Sequence, residues 1–176
     1  MTNRPTLILA ATAAALLVAA CGSKSEQEVA SGTYTDPETG ETADYKVTKS
    51  ADGEDGSISI KTEDGEMSFG GGASSAKLPK GFTPYPGATM TGGMAATGPG
   101  GEQSGMASFE VKGQAADVIA HYRKQAEAAG LKVASEVKAG DMMMFSAEPA
   151  GGGKSGVHVT ATQAGDTVNG TVTFGN

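Results

Sequence analysis

The side chains with the most distinctive chemistry in this 176-residue chain are its methionines, Met67, Met90, Met94, Met106 and the run Met142-Met143-Met144. Thioether sulfur is a soft, neutral donor suited to Cu(I). A copper site built from Met90, Met94 and Met106, with His158 as a further donor, is therefore one reading. Core packing is the other and carries more weight, because Met fills irregular interiors in a chain with no tryptophan and few aromatics. In a strand Met142 and Met144 face one side and Met143 the other, so that run cannot converge on one ion by itself. The only histidines are His121, on the polar side of a helical stretch, and His158, which alternates away from Val157 and Val159. No spacing places a serine or carboxylate beside either, and a hydrolytic triad needs a base held by an orienting acid. The segment Gly101-Glu102-Gln103-Ser104-Gly105 is one residue out of register for a nucleophile elbow. No catalytic residue emerges, and the chain reads as a non-enzyme without a cofactor.

Two further motifs fail on spacing. Gly153-Lys154-Ser155 resembles the end of a phosphate-binding loop, but Glu148 stands where that pattern needs glycine and a strand follows instead of a helix. The Asp/Gly-rich run from Asp52 to Asp64 lacks glycine at the sixth position of a calcium loop, where Ser57 stands. Acidic turns between strands account for it.

The N-terminus carries the most specific signal. Arg4 supplies a positive charge, Leu7 to Ala20 form an uncharged apolar run, and the only cysteine follows in Leu17-Val18-Ala19-Ala20-Cys21. This resembles the lipobox of bacterial lipoproteins, and the resemblance covers the signal alone. It implies cleavage by signal peptidase II before Cys21, diacylation of the Cys21 sulfur and attachment to a membrane. Each buried CH2 adds about 0.8 kcal/mol of membrane affinity and stable attachment takes about two chains, which diacylglycerol supplies. The expected location is extracytoplasmic. Gly22 after the cysteine implies the outer membrane, facing the periplasm, if the host has two membranes. With Cys21 acylated no thiol remains, so stability must come from packing without disulfides.

Charge divides the remainder. Between Lys24 and Glu66 there are 4 basic and 12 acidic residues, whereas from Met67 onward there are 8 of each. No basic patch exists for nucleic acid, and the acidic part would be repelled by phosphate and by an anionic bilayer surface. A solvated charge run is the simplest account of the acidity.

The elements follow from periodicity. Residues 1–20 read as the signal and 21–30 as the lipidated cysteine with a polar tether. Residues 31–70 read as an acidic antiparallel β-meander, with alternating pairs Tyr45/Val47, Ile58/Ile60 and Met67/Phe69 separated by Asp/Gly turns. So few apolar residues make a thin core, marginal alone. Residues 71–77 read as a Gly/Ser linker, and 78–176 as an α+β domain. Its opening, Leu78-Pro79-Lys80-Gly81-Phe82-Thr83-Pro84-Tyr85-Pro86-Gly87-Ala88, excludes a helix and is similar to small domains of uncharacterised envelope proteins. One helix is predicted over 115–129, because Val118, Ile119, Tyr122, Ala126 and Ala129 share a face and Gly130 can end it. Strands are predicted over 88–97, 106–112, 131–137, 142–148, 157–163 and 167–174, with Asn169-Gly170 as a turn or bulge inside the last. The domain order is β-β-α-β-β-β-β, one helix on an antiparallel sheet. Lys112 and Lys138 read as edge protection.

These observations point to a lipid-anchored envelope lipoprotein whose folded part is a non-catalytic binding or adaptor module. Its partners would be the membrane, through Cys21, and an envelope protein. A methionine-based copper-handling lipoprotein is the alternative.

Overall fold

A computed structural model describes residues 26–50, 56–73, 75–151 and 155–175. Cys21, the tether before Glu26, the Asp52–Asp55 run and the Gly153-Lys154 pair lie outside the described residues. The elements in chain order are β1 (Glu26–Thr35), β2 (Thr42–Ser50), β3 (Gly56–Thr62), β4 (Gly65–Gly71), β5 (Thr89–Thr97), β6 (Gln103–Lys112), α1 (Ala115–Ala128), β7 (Leu131–Ala139), β8 (Met142–Pro149), β9 (Gly156–Ala164) and β10 (Thr167–Gly175). The strands form one antiparallel sheet in the order β1-β2-β3-β4-β5-β6-β10-β9-β8-β7. Among the described residues the fold is α+β, with a single helix on a ten-stranded sheet.

Local chemistry explains the turns. The Asp36 carboxylate accepts the N–H groups of Thr39 at 3.0 Å and Glu38 at 2.7 Å, which shapes the β1–β2 connection. Those two donors hold the Asp36 carboxyl below the usual carboxylate range. Gly130, at φ 81°, follows the helix and donates its N–H to the Glu127 carbonyl.

The apolar face of α1 (Val118, Ile119, Tyr122 and Ala126) is buried on β7, β8 and β9. Phe109, Phe145, Val159, Val168 and Val172 meet it from the sheet, each with 2% exposure or less. Leu78, Phe82 and Tyr85 of the proline-rich segment join the same core. That segment is strapped to the helix by Gln125, whose Oε1 accepts the Thr83 N–H at 2.7 Å and whose Nε2 donates to the Thr83 carbonyl at 3.2 Å. His121 sits in this seam, half-buried, with its ring edge-on to Tyr85 and Tyr122. The expected exposed helix face is thus covered at His121 by the strap.

The helix start is held from a distance. Gln114, the N-cap residue, makes no side-chain capping bond. Gln163 of β9 replaces it: its Oε1 accepts the Ala115 N–H at 2.8 Å, and its Nε2 lies 2.9 Å from the Gly113 carbonyl and 2.8 Å from that of Gly165. One amide therefore ties the helix start to the β9–β10 turn. Replacing Gln163 by leucine should leave these groups unpaired and cost about 1–3 kcal/mol, read as a lower urea midpoint at unchanged slope.

Hydrogen bonding runs unbroken from the meander into the following strands, because β4 pairs with β5. Gly70 and Gly71 oppose Gly93 and Gly92 there. A Cβ on Gly70 would lie 2.2 Å from the Gly56 carbonyl oxygen, and one on Gly93 would lie 2.3 Å from that of Met106. Glycine is required by this close approach of backbones. Of the residues read as a linker, Gly71 ends β4 and Ser75 is fully buried, its hydroxyl 2.7 Å from the Gly70 carbonyl. Lys77 then pairs with Glu66 at 2.9 Å. Lys77 holds the Glu66 carboxyl below its ordinary 4.5, so this pair adds stability above that pH and loses it as pH falls. On so exposed a pair the effect is at most about 1 kcal/mol.

The outermost strands are β1 and β7. Lys138 lies on β7, where the edge-protection reading fits, and Arg123 of α1 pairs with Glu136 of the same strand. Lys112 lies on β6, an interior strand, so it protects no edge. Asn169-Gly170 makes neither turn nor bulge. Gly170 stays in register within β10, opposite Phe109 and Ala161, and the Phe109 ring fills the space a side chain would take.

Candidate functional site

Alternation in the meander specifies which residues share a side, and register then shows which side that is. Val47, Ile58, Phe69, Met94, Met106, Thr173 and His158 form one continuous row across β2, β3, β4, β5, β6, β10 and β9. Tyr45, Ile60, Met67, Ala96 and Ser104 form the adjacent row on the same side. Directly behind them, Lys46, Ser59 and Ser68 are aligned with Ala95, on the side where the helix packs. The apolar side of the sheet therefore changes between its two halves. From β6 to β8 it faces α1, whereas from β2 to β5 it faces away from α1. The helix covers one half and no described element covers the other.

The uncovered side is a shallow apolar face. Phe69, Ile58 and Ile60 are half-buried by their neighbours, while Met67 and Met94 remain 53% and 54% exposed and Met106 39%. A groove of about 420 Å³ runs between β4 and β10, lined by Met67, Phe69, Met94, Ala96, Met106 and Phe174, with Ser104 and Thr173 as its hydroxyl groups. That volume lies within the range of small-ligand sites. No carboxylate, amine or imidazole lines it, so its recognition is apolar. A second hollow, about 560 Å³, lies among the acidic turns around Asp36, Glu41 and Asp64. It is polar and formed by loop tips. Among the described residues no cluster of three or more His, Cys, Asp or Glu side chains is arranged to hold a metal ion.

The three methionines first read as a copper set are not brought together. Met94 and Met106 are direct cross-strand partners on the open side. Met90 opposes Phe109 and packs against the helix-side core, because the register shifts between Met90 and Gly92. A single bulge reverses the side on which Met90 emerges. Met67, not in that set, lies diagonally across from Met94 in the same groove. His158 is exposed, one strand beyond Thr173 in the row containing Met106. Met143 packs against the core while Met144 is exposed on the open side, as alternation requires. Ser104 and Glu102 of the nucleophile-elbow-like segment sit at the β5–β6 hairpin with no histidine near them in register.

Structurally the chain is a sheet domain with one helix and an apolar open face. Residues 89–170, from the start of β5 into β10, match a protein-family model described as START domain-like. Such a match suggests a ligand-binding module and is compatible with a non-catalytic role. No curated protein and no solved structure matches the chain.

Proposed function

We propose that this protein is a lipid-anchored envelope lipoprotein whose sheet domain binds an apolar ligand of the hydrocarbon-chain class, without catalysis, on the open face of β4, β5 and β6. The observation that carries the reading is the reversal of the apolar side between β5 and β6, which leaves a groove with two hydroxyl groups and no charge. A hydrocarbon chain needs no polar partner, and its burial gains about 25 cal/mol per Å². The lipobox-like Leu17-Val18-Ala19-Ala20-Cys21 supports the anchor. Among the described residues no helix is long and apolar enough to cross a membrane, so attachment in this reading falls to Cys21.

Two measurements test the two parts separately. Cys21→Ala should release the protein from the membrane fraction while its circular dichroism stays unchanged; retention of that variant with membranes would refute the anchor. A fluorescent fatty acid should bind the full chain and should be lost on Met94→Lys, which places a charge in the groove. Unchanged binding in Met94→Lys would refute the groove as the site.

A further inference from the structure

Building on the apolar site proposed above, on which this reading rests, we propose that the open face selects a single-chain acyl lipid with an uncharged, hydroxyl-bearing head. This is the chemistry of a monoacylglycerol, with its head over β6 and β10 and its tail directed toward β2. The two rows of side chains on this face run side by side across the strands. Each strand contributes one residue to each wall of a trough, Met67 with Phe69 on β4, Ala96 with Met94 on β5 and Ser104 with Met106 on β6. From β2 to β10 the trough crosses five strand spacings, about 24 Å in all, which accommodates a long extended acyl chain. Tyr45 closes the β2 end. Its ring lies over Gly32 of β1, where a Cβ would come within 2.8 Å of the phenolic oxygen and 3.0 Å of two ring carbons.

The two ends of the trough differ in chemistry, and that difference sets the orientation. Over β4 and β5 the walls are hydrocarbon and thioether, whereas the hydroxyls of Ser104 and Thr173 stand at the β6–β10 end. Among the described residues neither hydroxyl has a protein partner, so each can donate and accept a bond to a ligand. Gly175 lies beside Ser104, where a Cβ would stand 2.4 Å from the serine Cβ, so no side chain crowds this end. An ionised head meets no countercharge there. No lysine, arginine or histidine lines the groove, and Lys77 is paired with Glu66 on the helix side. Glu102 precedes Ser104 by two residues, and the chain as a whole carries a net charge of −7. A carboxylate or phosphate would lose water without gaining a cation and would be repelled by this field. A hydroxyl or ester oxygen exchanges water for the two hydroxyls instead.

The test is displacement of a fluorescent fatty acid from the full chain carrying Cys21→Ala, so that no acyl group on the protein competes. His158, exposed one strand beyond Thr173, is kept neutral by working at about pH 8, above the ordinary histidine range. Tetradecanoylglycerol should displace the probe at a concentration about tenfold or more below that needed for tetradecanoate. Decanoylglycerol should be weaker by about two- to fourfold for each CH2 removed. Thr173→Lys, at an exposed strand position, supplies the missing charge at the head end and should reverse the order, making tetradecanoate the tighter ligand. Equal displacement by the two heads, or an order unchanged in Thr173→Lys, would overturn the head selection and the orientation. Affinity independent of chain length would overturn the trough. Binding of no acyl ligand at all would refute the apolar site and this selection with it, a result distinct from a groove that binds both heads alike.

Discussion

Truncating Tyr122 to alanine should cost about 3–5 kcal/mol of folding stability, the largest single-residue effect expected in this molecule. Tyr122 is fully buried at the centre of the helix-to-sheet contact, with its ring 5.7 Å from that of Phe109. Its hydroxyl accepts the Tyr85 N–H at 3.3 Å, so it also seats the proline-rich strap. Removing it opens a cavity between α1 and the sheet and frees the strap at once. Domains of this size hold only about 5–15 kcal/mol, so the variant should be partly unfolded at ambient temperature or show a much lower urea midpoint. Tyr122→Phe separates the contributions, since it keeps the ring and should cost only about 1 kcal/mol. Burial pushes the Tyr122 hydroxyl up from 10.0. The neutral form is therefore favoured in the folded state, and its stabilisation is present below pH 10.0 and lost as pH rises further. Tyr122→Phe should flatten that alkaline loss. A cost below about 1 kcal/mol for Tyr122→Ala would mean that the helix does not pack as described.

Gly170→Ala is the second. A Cβ there would sit 2.1 Å from the Phe109 Cζ and within 2.6 Å of two further ring atoms. Phe109 is itself 2% exposed and hemmed in by Tyr122, so the ring has little room to yield. One methyl group should cost about 1–3 kcal/mol or more, although alanine is otherwise tolerated in a strand. The mechanism is steric and therefore reversible by a second change. Phe109→Leu should be destabilising alone, yet in combination with Gly170→Ala the cost should be well below the sum. Strict additivity of the two in urea unfolding would contradict the ring-over-glycine contact.

These two sites show what could be read from the chain before its structure. The helix was legible because Val118, Ile119, Tyr122 and Ala126 repeat at helical spacing, and it spans Ala115–Ala128, with Ala129, predicted as its last residue, serving as the C-cap. The strand pairs Tyr45/Val47, Ile58/Ile60 and Met67/Phe69 were legible by alternation. Alternation says which residues share a side, never which side faces the helix, so the reversal between β5 and β6 was hidden. For the same reason Met90 and Met94 looked equivalent. Their parity matches, but the bulge before Gly92 inserts a residue, and the adjacent Gly92-Gly93 pair is the one signal that could have betrayed it. Gln163 was invisible because its partners lie far away in sequence, 48 residues in the case of Ala115, and the covering of His121 was hidden because Tyr85 belongs to the distant proline-rich segment. Asn169-Gly170 read as a turn or a bulge because Asn-Gly usually breaks a regular strand, and only the register with Phe109 shows otherwise.

The route of the chain also dictates when it can become whole. Strands β1 to β5 each pair with the next one made, so the first six strands can zip up in sequence as they leave the ribosome. The outer edge of β6 has no such successor. Its partner is the last strand, with Lys112 waiting for Thr167 and Gly105 for Phe174. Until β10 is synthesised, the backbone of β6 stands open with Phe109 and Val111 uncovered, an adhesive edge in the middle of the future sheet. Closing so distant a pair is slow compared with forming hairpins. The final nine-residue strand is thus the step that commits the molecule, and a nascent chain stalled before Thr167 is the form most exposed to self-association.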